Sequence, residues 1–143
     1  MSEILYRAKA INRDNGYYRT SYKNGDWVYG LITRLYDERF EAVPAEMKNT
    51  NCVSGIEVDY RTIGQYTGCC DKSKTTEVFE GDIVWDEIDE QYGVVEFDEG
   101  EFYVNFDGIV DCARFADVIH CCYVVGNIHD NPELLKGDVN NDR

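Results

Sequence analysis

The sequence predicts a mainly-β protein with short helices. Apolar residues alternate with polar ones over short runs, the period of a half-buried strand. Those runs are rich in Val, Ile, Tyr, Phe and Trp, which suit a pleated surface. Turn signals such as Asn-Gly and Asp-Glu-Gly fall between them. At 143 residues, 43% of them hydrophobic, with 11 Tyr and 6 Phe, the chain fits one domain with an ordinary core and needs no disulfide staples.

"EILYRAKAI" sets Ile4, Tyr6, Ala8 and Ala10 against more polar neighbours and reads as a first strand. Asn-Gly signals in "NRDNG" and "YKNGDW" frame "GYYRTSY" as a short hairpin arm. "DWVYGLITRLY" is the strongest apolar run of the first half; its composition suits a strand, with a bulge expected at Gly30. "DERFEAVPAEMKNTNCVSG" contains Pro44 and "NTN" and reads as a loop with one short strand. In "EVDYRTIGQYTG" the spacing predicts a short helix over about 60–66, capped by Asp59 and stopped by Gly68.

From residue 77 the pattern changes. "EVFEGDIVWDEI", "QYGVVEFDEG", "EFYVNFDG" and "HCCYVVGNI" are four strand-like runs, with "DCARFADVI" a helical turn before the last. Phe102, Val104 and Phe106 alternate, and Asp98-Glu99-Gly100 is a hairpin turn. Short meandering strands with one such turn resemble an SH3-like barrel, whose typical opening "GDIV" stands at 81–84. "NPELLKG" gives a terminal helix capped by Asn131. "DVNNDR" imitates the start of an EF-hand loop but has Arg143 where Gly is needed, and lacks the Glu ligand. The chain thus divides into an N-terminal β portion (1–76), an acidic SH3-like portion (77–128) and a terminal helical turn and tail (129–143), within a single domain over 1–143.

Charge is the most informative global property. Residues 1–76 hold 11 Lys/Arg against 10 Asp/Glu, and residues 77–143 hold 3 against 18, which together give the net charge of −14. So acidic a second half repels phosphate backbones and suits either solubility or a basic partner. Within it, Asp86, Glu87, Asp89 and Glu90 are the candidate docking residues. Six cysteines (Cys52, Cys69, Cys70, Cys112, Cys121, Cys122) include no Cys-x-x-Cys knuckle, and adjacent strand cysteines face apart. Reduced thiols are expected, with no disulfide, metal or cofactor. No leader or membrane-spanning run is visible. Phosphate-loop, nucleophile-elbow and His-Glu-x-x-His motifs are missing, and no catalytic residue stands out.

The order of motifs resembles the YopX family, small proteins encoded by bacteriophages and prophages. "EILYRAKAI", "GDWVYGLI", "VDYRTIGQYTG", "DK", "VFEGDIV", "GVVEFDEGEF" and "VVGNIHDNPELL" follow in sequence from about residue 3 to 135. The most specific pieces are Gln65-Tyr66-Thr67-Gly68, Glu80-Gly81-Asp82-Ile83-Val84, and Gly126-Asn127-Ile128 with Asn131-Pro132-Glu133. The resemblance implies a mainly-β, cytosolic protein and brings no catalytic residues. The chain departs from the pattern at "NRDNGYYRTSYK", which looks inserted, at Cys69-Cys70, and at "SKTT". The motif residues Gln65, Tyr66, Gly68, Glu80, Gly81, Asp82, Gly126 and Asn127 are expected to fix the joint between the two portions.

Three functions follow. The first is a non-enzymatic interaction module with an acidic face, in the cytoplasm of a bacterial host, binding a host protein or a second copy of itself. The second is an SH3-like nucleic-acid or nucleotide binder that uses Arg7, Lys9, Arg13, Arg19 and Lys23. The third is an enzyme using carboxylates in a cleft.

Overall fold

A computed structural model describes residues 5–12, 22–34, 45–49, 52–106 and 112–135. Contacts divide the chain into two compact units, Met1–Gln65 and Tyr66–Arg143. The division falls inside the quoted motif Gln65–Gly68, earlier than the 76/77 join that the composition change suggests. The hairpin arm expected at "GYYRTSY" and the acidic tail lie outside the described residues, apart from Tyr22.

In the first unit β1 (Tyr6–Lys9), β2 (Trp27–Arg34), β3 (Ala45–Asn49) and β4 (Cys52–Val58) form an antiparallel sheet in the order β4-β3-β2-β1. β5 (Gly64–Cys70) starts beside β1, pairing Gly64 with Arg7 and Gln65 with Tyr6. The period-2 alternation sends Ala8 and Ala10 into a core with Val28, Met47, Ile56 and Val58. Arg7 and Lys9 therefore take the other face, where the guanidinium carbon and Nζ lie 4.6 and 5.4 Å from the Trp27 ring centroid. One bridge between Ala10 and Val58, with Ile11 N–H donating to Glu57 O, brings the end of β4 back to β1.

Three expectations in this unit change. The loop read over 37–55 holds two strands, β3 and the start of β4. The bulge lies between Ile32 and Arg34, while Gly30 sits in register opposite Tyr6. The helix expected over 60–66 is a single 3₁₀ turn, Tyr60–Thr62. Asp59 caps it as expected, its carboxylate accepting the Arg61 N–H at 3.0 Å. The turn then stops because Ile63 is extended (ψ 128) and Gly64 and Gln65 are taken by β1. Two isolated helical turns nucleate poorly, so strand pairing prevails.

In the second unit the rest of β5 pairs with β6 (Glu77–Phe79), and the Tyr66 and Phe79 rings lie 5.3 Å apart. β7 (Asp82–Asp86), β8 (Gln91–Asp98), β9 (Glu101–Phe106) and β10 (Cys112–Arg114) meander. A short helix α1 (Phe115–Val118) and a 3₁₀ turn (Ile119–Cys121) then lead to β11 (Cys122–Asn127), which returns to β7. The antiparallel order is β10-β9-β8-β7-β11. "EVFEGDIVWDEI" is two strands and not one: Gly81 at φ 94 turns the chain, so that β6 joins β5 while β7 enters the meander. Among the described residues the five-stranded sheet does not close, since β10 pairs only with β9 and β11 only with β7.

Val78, Val84, Val95, Val104, Phe115, Ile119 and Cys122 form the core of this unit. No helix among the described residues is long and apolar enough to cross a membrane.

Candidate functional site

Four of the residues singled out by charge lie at the β7–β8 hairpin, but they play different parts. Asp86 ends β7 with 5% of its surface exposed, and its Oδ1 accepts the N–H groups of Ile88 (2.9 Å) and Asp89 (3.4 Å). It builds the turn and faces inward, so it is not available to a partner. Glu87 Oε1 lies 2.6 Å from Lys72 Nζ, and that hydrogen bond with its charge holds the Lys72 ammonium above its ordinary range. Asp89 and Glu90 are exposed, and Ile88 between them and Glu87 is 70% exposed. The second acidic turn, Asp98-Glu99-Gly100, lies at the far end of β8. Eight residues at the strand rise place the two turns about 25 Å apart. Beyond it, Glu101 Oε1 receives the Arg114 Nε–H at 2.8 Å.

Buried carboxylates are the feature that acid–base chemistry would need, and the unit has three: Asp71, Asp82 and Asp86. Each serves backbone amides. Asp71 Oδ1 accepts the Ser73 N–H (2.9 Å) and hydroxyl (2.6 Å), while Oδ2 accepts the Val124 N–H at 2.8 Å. Asp82 Oδ2 accepts the Phe79 N–H at 2.8 Å across the Gly81 turn. Such carboxylates anchor loops.

Cys69, Cys70, Cys121 and Cys122 are free thiols. Burial, followed by the charge of Asp86, pushes the Cys122 thiol up to about 12, and its Sγ donates to Val118 O at 3.3 Å. Among the described residues no three His, Cys, Asp or Glu gather as metal ligands.

The motif residues occupy turns and strand joins. Gln65 pairs with Tyr6, and Tyr66 with Phe79. Gly68, expected to stop a helix, lies inside β5 at φ 87, where the register with β6 shifts. Glu80 and Gly81 form the β6–β7 turn; Gly81 N–H donates to Val95 O (2.8 Å) and its carbonyl accepts the Ile128 N–H (2.9 Å). Asp82 stands opposite Asn127. Asn127 Oδ1 accepts the N–H groups of His129 and Asp130, both at 2.9 Å. Gly126 leaves room for Asn131, whose Oδ1 accepts the Asn127 N–H at 3.2 Å.

Charge and motif counting missed Asp71 and the second role of Asn131. The Asp71-Lys72-Ser73 turn chemistry was the available signal. Of the basic strip, Arg7 is 7% exposed, Lys9 lies over Trp27, Lys23 sits in an exposed turn, and Arg13 and Arg19 lie outside the described residues.

Motif order, strand order and turn geometry thus run along one chain, and a family profile described as YopX protein matches residues 7–136. The chain belongs to the YopX family. Among solved structures, this YopX-family chain is similar to protein EF1440 from Enterococcus faecalis, at 22% identity and a TM-score of 0.54. The match covers 94% of this chain and 99% of that one, and it is a likeness of fold. No curated protein matches.

Proposed function

We propose that this YopX-family chain is a phage- or prophage-encoded interaction module of the bacterial cytoplasm, without enzymatic chemistry, that presents the tip of the β7–β8 hairpin to a basic host protein. The observation that supports it is Ile88, 70% exposed and flanked by exposed Asp89 and Glu90 on a turn held by the inward Asp86. An apolar anchor inside an acidic rim suits a basic surface with an apolar pocket, and the charge would speed encounter at low salt. The three buried aspartates favour this reading over an enzyme, since each already accepts backbone N–H bonds. The meander order, with a helical turn before β11, favours an SH3-like reading of the second unit. The nucleic-acid reading has less support, because Arg7 is buried and Lys9 lies against Trp27.

The test is a pull-down from host lysate with three proteins: wild type, Asp89→Lys/Glu90→Lys, and Asp98→Lys/Glu99→Lys. Both variants change the charge equally, at opposite ends of β8. The first is expected to lose a partner that the second keeps. If the two behave alike, the hairpin tip is not the docking element.

A further inference from the structure

β11 is an edge strand of the five-stranded sheet, paired through one side only, with β7. Its other side faces away from β7 and offers the backbone groups onto which a further strand would add. Those groups are already occupied. Cys122 O accepts the Lys72 N–H at 2.9 Å, and the Val124 N–H donates to Asp71 Oδ2 at 2.8 Å. After the register shift between Val124 and Gly126, the Asn127 N–H donates to Asn131 Oδ1 at 3.2 Å and Asn127 O accepts the Asn131 N–H at 2.8 Å. Neither partner segment is a strand. One is the turn that starts at Asp71, whose carboxylate stands where a neighbouring strand's carbonyl would stand. The other is the turn of the terminal helix.

We propose that Asp71-Lys72 and Asn131 are edge guards: they occupy the outer side of β11 and keep the five-stranded sheet from adding a strand of a second copy of this chain. The proposal accounts for two quoted motifs at once. "DK" supplies the guard at Cys122–Val124, and "GN" followed by "NPE" supplies the one at Asn127. Gly126 belongs to the device, because a Cβ there would meet Asn131 Oδ1 at 2.6 Å. The Lys72–Glu87 ion pair ties the first guard to the β7–β8 hairpin. A self-complementary partner follows from the geometry: two β11 edges stripped of their guards meet antiparallel about a two-fold axis.

The experiment compares wild type, Asp71→Ala/Asn131→Ala and Asp71→Asn, following mass by light scattering across a concentration series and amide hydrogen exchange at Val124 and Asn127. In wild type both amides are expected to be protected despite their edge position. In the double variant at low concentration both are expected to exchange roughly tenfold faster, the effect of losing one hydrogen bond to a charged or amide acceptor. As concentration rises, its mass is expected to increase beyond that of wild type while protection at Val124 returns. Asp71→Asn keeps an acceptor oxygen and is expected to match wild type. A folded double variant with the mass and exchange of wild type overturns the proposal, as do unprotected Val124 and Asn127 amides in wild type. If the double variant does not fold, Asn131→Ala alone is scored in the same way at Asn127.

Discussion

A Cβ at Gly93 would stand 2.5 Å from Val104 Cγ1 and within 3 Å of the Phe106 ring. Both neighbours belong to the packed side of the sheet, so neither can move freely. Gly93→Ala is expected to destabilise by about 1–3 kcal/mol, the usual range for overpacking, as measured by urea denaturation. Cys122 gives a prediction of the opposite kind. Its thiol lies in the core and ionises near 12, against an ordinary 9.0. Cys69, which is exposed, is expected to react with a thiol reagent at pH 8 while Cys122 reacts only after unfolding. A folded value above the unfolded one means that the stability contributed by Cys122 is fully present below pH 9.0 and is lost as pH rises toward 12. Asp86 marks the limit of reading charge as function. Asp86→Asn keeps an acceptor for the Ile88 and Asp89 amides and is expected to fold. Asp86→Lys offers no acceptor to two amides and is expected to lose the hairpin, seen as lost amide dispersion over residues 86–91.

At the scale of elements, most strands were legible. Tyr6–Lys9, Trp27–Arg34 and the runs from Gln91 to Asn127 stand where alternation and β-branched residues indicated. The Asp59 cap was legible too, because an aspartate before a short polar run has a local reason to be there. Asp59→Ala is expected to cost roughly 1 kcal/mol, through the bond to the Arg61 N–H. What followed the cap was misread: Ile63 and Tyr66 share helical spacing, yet β1 takes Gly64 and Gln65 into a sheet. Pairing partners distant in sequence leave no local trace. The same holds for β6, which is continuous in composition with β7 but is turned away at Gly81.

For the whole molecule, a net charge of −14 and a buried Arg7 lead to the same expectation. The protein should pass through an immobilised nucleic-acid column even at 50 mM salt, where phosphate contacts are strong. Salt-sensitive retention would restore the nucleic-acid reading.

The sequence by itself determined the β class, the turn positions, the separation of charge and the family. Each of these rests on residue type, period or motif order, all of which act over a few neighbours. Only the tertiary structure decided which carboxylates are surface and which are scaffold, because Asp86, Asp89 and Glu90 differ in what faces them and not in their chemistry. It also decided that Asp71 reaches Val124 and that Asn131 returns to Asn127. The first contact spans 53 residues, and contacts over such distances form only once the sheet has brought the two segments side by side.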